Sequence, residues 1–362
     1  MMRKLGLMVL IALTIVSCSK QEEMIHVDVD KSMNTFLSKN LSDVVKTLEY
    51  VSLETDSNSL VPGKFKVALF ERDIAMIGNR KILLFDRTNG KFKKEVLHWG
   101  NNPGGYANAL VGKGMHFNEK EGYIFVKEWG NYIATYCVYT GERKQFPLKG
   151  VVKSVAYTDD DSFVVTAFNF DGKHQVKMWM YDNYQCVDSI PNHWTFNLIN
   201  DGMTIIDNDE IFYRFNDRTY FKDATNDTVF AVTDMLKPAF IFTPSSSLPQ
   251  IELRERPELL YKKIIEKYFV NNIMEDASCI YFTIAHEDKI YRLVYDKLSN
   301  EGGVLKEGFI NDIDGGVNLF PDHITERGEY VFVLNPASMS EEELAKSKLN
   351  FDDNPMIIIG RK

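Results

Sequence analysis

Five of the seven histidines, His98, His174, His193, His286 and His323, sit in or beside polar segments spread along the chain. Imidazoles gathered at one mouth could hold zinc or move protons, because histidine titrates near neutrality and offers a nitrogen ligand. No fixed spacing ties them together, so a metal or acid–base centre on His98, His174 and His286 is the weaker of two readings. The stronger is a binding surface. Trp99, Tyr106, Trp129 and Tyr132 stand near Asn101, Asn102 and Asn131, and flat apolar rings beside amides suit a sugar or a peptide. Trp99, Asn101, Tyr106, Trp129 and Asn131 are therefore the candidate ligand contacts, although for Trp99 and Tyr106 packing of the loop between them against its neighbour is the preferred reading. Nucleophile-elbow, zincin, dinucleotide-binding and P-loop motifs are absent. The acidic runs 159–161 and 207–210 lack the further oxygen ligands that calcium needs. No catalytic residue, cofactor or metal is assigned.

The elements that would position these residues begin after an export signal. Arg3 and Lys4 precede an apolar run, 5–16, that is too short to span a bilayer. It ends in Ile15-Val16-Ser17-Cys18, which resembles the lipobox of bacterial lipoproteins. The resemblance implies a signal peptide over 1–17 and lipid attachment at Cys18, whose acyl chains would hold the protein on a membrane without spanning it. It also implies the outer membrane, because Ser19 follows the cysteine. Lys20-Gln21-Glu22-Glu23 is similar to the acidic surface-export tag of Bacteroidota lipoproteins, so the protein would face the periplasm or the cell surface. Residues 18–40 read as a flexible tether. A net charge of −9 argues against nucleic acid or anionic headgroups as partners. Cys137, Cys186 and Cys279 lie in strand-like runs without a Cys-x-x-Cys pair, the pattern of buried free thiols.

From residue 41 onward the chain repeats. Ile82–Phe85 is an apolar run, 86–90 is rich in turn residues, and 91–98 is a second, more polar strand. Preceded by 65–73 and 74–79, they make a four-strand meander. The order returns over 114–148, over 151–190, over 203–243 (strands at 203–208, 210–216, 228–234 and 238–243) and over 273–308. Third strands begin near Lys81, Tyr132, Gln175, Thr228 and Lys289, a spacing of roughly 43 to 61 residues that matches propeller blades with insertions. A sixth unit has three strands, 317–326, 330–335 and 355–361. The orphan strand 47–54 completes it by pairing with 355–361. The expectation is an all-β, six-bladed propeller of four-stranded antiparallel blades over 41–362, with small helices near 256–270 and 341–348.

Leu53-Glu54-Thr55, Phe85-Asp86 with Asn89-Gly90-Lys91-Phe92, Pro103-Gly104-Gly105-Tyr106 and Asp353-Asn354-Pro355 together resemble the six-bladed β-propeller lipoproteins of gut Bacteroidota. That family was first catalogued as a domain of unknown function and is similar in architecture to NHL-repeat propellers. Gly105 departs from it, because an acidic residue commonly follows Pro-Gly there. The resemblance implies a fold and almost no biochemistry.

In a meander blade, the loops from strand two to three and from strand four to the next blade share one face. Here they are the long ones, among them 98–109, 128–131, 171–174, 217–227 and 244–271, and a rigid scaffold usually carries function on such loops. The reading is a lipid-anchored envelope module that binds a glycan, a peptide or another envelope protein through that face. Its rivals are a metal-dependent lyase or hydrolase with a histidine-lined centre, and a structural scaffold.

Overall fold

A hairpin of β-branched and aromatic residues survives in water only when both its faces are covered. In the computed structural model the blades cover one another. It describes residues 24–61, 63, 65–78, 81–100, 105–106, 115–128, 131–159, 161–199 and 209–362. Six antiparallel sheets form a six-bladed β-propeller. Blade 1 runs Phe65–Leu69, Asp73–Gly78, Lys81–Asp86 and Phe92–Trp99, with Gly105–Tyr106 added outside. Blade 2 runs Met115–Asn118, Tyr123–Glu128, Tyr132–Cys137 and Arg143–Pro147. Blade 3 runs Val152–Asp159, Ser162–Ala167, Val176–Asp182 and Gln185–Pro191. Blade 4 runs Glu210–Phe215, Arg218–Asp223, Thr228–Val232 and Leu236–Thr243; blade 5 runs Phe269–Glu275, Cys279–His286, Lys289–Asp296 and Glu301–Leu305.

Blade 6 is made from both ends of the chain. His323–Ile324, Tyr330–Leu334 and Met356–Arg361 come from the C-terminus, and Thr47–Ser52 pairs antiparallel with the last of them, from Thr47 against Arg361 to Ser52 against Met356. The continuous apolar run in that last strand follows from burial on both sides. Ile358 packs with Tyr281 and Val294 of blade 5, while Ile357 and Ile359 pack with Ile74 and Leu83 of blade 1. The same alternation builds the other interfaces, as where Phe125 meets Phe163 between blades 2 and 3, or Phe242 meets Phe282 between blades 4 and 5.

Three expectations need correction. First, residues 25–40 are not a tether. Ile25–Asp28 lies parallel to Leu236–Thr243 as a fifth strand of blade 4, a short helix follows over Val29–Met33, and Phe36–Leu37 lies parallel to Glu301–Leu305 on blade 5. Val27 and Val29 have no exposed surface. Gly303 lets this strap lie close, because a Cβ there would stand 2.8 Å from the Thr35 carbonyl oxygen. The alternation His26-Val27-Asp28-Val29 was the available signal; its polar members face out. The signal peptide 1–17, Cys18 and the Lys20–Glu23 tag lie outside the described residues.

Second, blade 4 is shifted by one strand. Residues 210–216, read as its second strand, form its first, and 217–227, read as a loop, contain its second. Asn216 and Asp217 both have positive φ, 52° and 58°, the geometry of a two-residue hairpin that Asn and Asp tolerate. The expected strand 203–208 lies outside the described residues. Third, the helix near 256–270 is Pro257–Ile264 only, since Phe269 and Val270 pair with Ala285 and Ile284 and open blade 5. The second expected helix is Glu341–Ser347, closed at its start by a reciprocal Ser340–Glu343 capping box. Cys137 and Cys279 are buried free thiols and Cys186 is half-buried.

Candidate functional site: a buried charge cluster between blades 3 and 4

The first and third strands of a blade start, and the second ends, on the face that carries the long loops. Lys153 opens blade 3's first strand and Lys177 its third, while Glu210 opens and Asp223 ends the first two strands of blade 4, directly opposite each other in register. Arg254 arrives from the turn Ile251–Glu255 in the insert after blade 4. All converge at one end of the blade 3–4 interface.

Three cations and three anions meet there. Lys177 Nζ lies 2.9 Å from Asp223 Oδ2 and 3.3 Å from Glu210 Oε1. Arg254 reaches Asp223 Oδ1 at 3.0 Å and Asp209 Oδ2 at 3.4 Å, and Lys153 pairs with Asp209. Thr166 donates to Glu210 Oε2 at 2.6 Å, and Arg254 Nε donates to Thr225 Oγ1 at 2.9 Å. Burial opposes charge on Lys177, Glu210, Asp223 and Arg254, but the partners win. Lys177 and Arg254 together hold Asp223 well below the usual carboxylate range, and Lys153 with Lys177 lowers Glu210. Asp223 and Glu210 raise Lys177 in turn. These groups therefore stay ionised at neutral pH.

Aromatic rings wall the cluster. Lys177 Nζ stands 5.2 Å from the centre of the Trp194 ring and 4.9 Å from that of Phe221. Phe168, Phe170 and Phe196 complete the wall, with Phe170 38% exposed at the rim. Two loops carry all of these rings except Phe221, which stands on the second strand of blade 4, and the two loops are locked together. Asn169 Nδ2 and Asn192 Nδ2 both donate to the Trp194 carbonyl, and Gly172, at φ 80°, passes so close to Phe196 that a Cβ would stand 2.0 Å from its carbonyl oxygen. The cavity itself holds only about 20 Å³, room for a single water. A ligand larger than that must lie across the mouth.

The match to known families comes from the whole chain. The family described as Domain of unknown function (DUF4934) matches residues 24–361. The chain belongs to that family. No curated protein resembles this DUF4934 member in sequence. Among solved structures it is similar to a protein of Bacteroides fragilis named only for its inferred export, with a TM-score of 0.63 and 13% identity, covering 90% of this chain and 99% of that one. It is also similar to a structural genomics protein of unknown function from Bacteroides thetaiotaomicron, with a TM-score of 0.47 and 10% identity, over 86% of this chain and 76% of that one. At 13% identity the likeness to the Bacteroides fragilis protein shows a shared fold.

In this DUF4934 fold the loop histidines do not converge. His174 Nδ1 is 2.9 Å from the Val176 carbonyl oxygen and its ring stands edge-on to Trp179; His286 packs against Tyr268. His98 pairs in blade 1 with Lys81 and Gly105, and His193 is exposed. Among the described residues no three His, Cys, Asp or Glu side chains come together as a metal site. Trp99 is 42% exposed and pairs in register with Tyr106 on the outer edge of blade 1, and the Asn131 carbonyl accepts from Leu148 N. Asn101 and Trp129 lie outside the described residues. Lys153, Lys177, Glu210, Asp223 and Arg254 were missed because charged residues at strand ends look like ordinary surface. Only the shift of blade 4, readable from Asn216-Asp217, would have set Glu210 against Asp223.

His323 instead joins blade 6 to blade 2, with Nε2 2.9 Å from Glu119 Oε2. Burial works against the imidazolium, but Glu119 outweighs it and raises the group. A raised histidine stabilises the fold below the ordinary imidazole value and loses that contribution as pH rises through the raised one. The stability gap between wild type and His323→Gln, read by urea unfolding, should be largest below the ordinary imidazole value and close as pH rises through the raised one. A gap that widened with pH would contradict the assignment.

Proposed function

We propose that this protein is a lipid-anchored envelope propeller that binds a glycan across the mouth of the blade 3–4 cleft. The observation that carries the reading is the cleft's composition: fixed cations and carboxylates on its floor, and rings of Phe168, Phe170 and Trp194 around it. Sugar hydroxyls both donate and accept hydrogen bonds, so they match a floor that offers both, while sugar C–H faces lie on aromatic rings. Attachment at Cys18 and an envelope location rest on the lipobox-like Ile15-Val16-Ser17-Cys18 and agree with export of the similar Bacteroides fragilis protein. The face in use is the one with long loops, as Trp99 and Asn131 also suggested, but the cleft replaces them as the first place to look.

One experiment tests both parts. The whole chain with Cys18→Ala should leave the membrane fraction and, as a soluble protein, bind members of a bacterial and dietary glycan array. Phe170→Ala, which removes a rim ring without touching the ion cluster, should weaken that binding about tenfold. Membrane retention would defeat the anchor. Glycan binding indifferent to Phe170→Ala would defeat the cleft, and a blank array would defeat the glycan.

A further inference from the structure

The end of blade 5 leaves a strand edge uncovered. Cys279–His286 turns into Lys289–Asp296 through Glu287 and Asp288, whose φ values of 48° and 60° make a two-residue hairpin. In such a hairpin the closing pair, here His286 and Lys289, bond to each other. The next residue, Ile290, therefore aims its N–H and C=O away from its partner strand. The outer strand Glu301–Leu305 covers Lys289–Asp296 only from Leu293 to Asp296. Among the described residues none pairs with the outer side of Ile290.

Beside this edge lies a groove of about 630 Å³, within the usual range for ligand pockets. Phe36, Ile290 and Tyr291 supply its apolar wall, and Lys289, Arg292 and Lys306 its charge. Phe36 is 74% and Ile290 59% exposed, unusual for two large apolar residues flanking one groove. The lining contains no acidic residue, in a chain with nine more acidic than basic side chains. The strap segment that brings Phe36 here also covers the edge of Glu301–Leu305 but stops short of Ile290.

We propose that this groove docks an extended acidic peptide, which adds as a strand along Ile290. The unpaired N–H and C=O supply the backbone pairing, Ile290 and Phe36 receive alternate side chains, and the three cations select carboxylates. A phosphate headgroup would use the charges but not the backbone groups, so the strand edge favours a peptide over a membrane. The site is separate from the blade 3–4 cleft and stands whether or not that cleft binds a glycan.

The test is fluorescence anisotropy of the whole chain with a labelled octapeptide of alternating Glu and Val. Micromolar binding is expected, lowered at least tenfold by Ile290→Asp and by Arg292→Glu with Lys306→Glu. Because Ile290 and Phe36 are exposed, Ile290→Asp and Phe36→Ala should keep the wild-type melting temperature. Two further peptides, N-methylated at every Glu or at every Val, separate strand pairing from charge on the unaltered protein. Pairing along a single edge predicts that only one of the two loses binding. No binding up to about 1 mM, about 4 kcal/mol, would overturn the proposal. So would equal binding of both methylated peptides, capture of phosphatidylglycerol vesicles that Ile290→Asp abolishes while the peptide fails to compete, or a dimer that the same substitution dissolves.

Discussion

Removing the last seven residues, 356–362, should leave a chain that no longer unfolds cooperatively. The loss takes out an inner strand of blade 6, not a frayed end. Ile357, Ile358 and Ile359 are at most 1% exposed, and burying three such side chains stabilises by roughly 5–9 kcal/mol, as much as many domains have in total. The same deletion leaves Tyr330–Leu334 and Thr47–Ser52 without the strand between them. It also strips the covering from Ile74 and Leu83 of blade 1, so the damage crosses into the neighbouring blade. Far-ultraviolet circular dichroism during a urea titration would show a broad, sloping change in place of a single transition. A sharp transition with the wild-type midpoint would mean that the ring does not depend on this closure.

Replacing Lys177 by Met should cost about 3–5 kcal/mol, the usual cost of removing one partner from a buried ion pair. The size follows from what is left behind. Lys177 is buried, it is shared by Asp223 and Glu210, and its ammonium also lies against Trp194 and Phe221. Methionine keeps much of the volume but leaves two buried carboxylates short of a counter-charge. Combining Lys177→Met with Asp223→Asn should recover part of the loss, because the second change removes one of the stranded charges. Urea midpoints of the two single variants and the double variant form the cycle. A single variant within about 0.5 kcal/mol of wild type would show that the cluster holds little of the fold's stability.

The pH behaviour of Lys177 and its partners has the opposite sign to that of His323. Asp223 and Glu210 are depressed, so their stabilisation is present above the ordinary carboxylate range and fades as pH falls through the lowered values. The blade 3–4 cluster thus weakens in acid, whereas the His323–Glu119 pair weakens in base.

Most of the architecture was legible because it is local. Turn residues such as Asn89-Gly90 and Thr140-Gly141, apolar runs of strand length, and a recurring period identify hairpins wherever they occur. Counting them left one strand missing at the C-terminus and one spare at the N-terminus, so the closure between Thr47–Ser52 and Met356–Arg361 could be read without coordinates. The error in blade 4 arose where one signal, Asn216-Asp217, was divided between a strand over 210–216 and a loop over 217–227. The strap over 25–40 was misread for a related reason: a run with one apolar residue in two looks like a linker unless a waiting edge strand is known.

By itself the sequence determined the all-β class, the number of blades and the way the ring closes, since each rests on residues that interact with near neighbours or on a count of strands. Only the tertiary structure decided where chemistry collects. Lys153, Lys177, Glu210, Asp223 and Arg254 come from five separate elements across about a hundred residues, and none is unusual in its own segment. They become a site because packing blade 3 on blade 4 takes them out of water together, which forces every charge to find a partner. The loop histidines show the converse: alike in sequence, His174 lies against the Val176 carbonyl and Trp179, His286 against Tyr268 and His323 against Glu119, so proximity in composition did not become proximity in space.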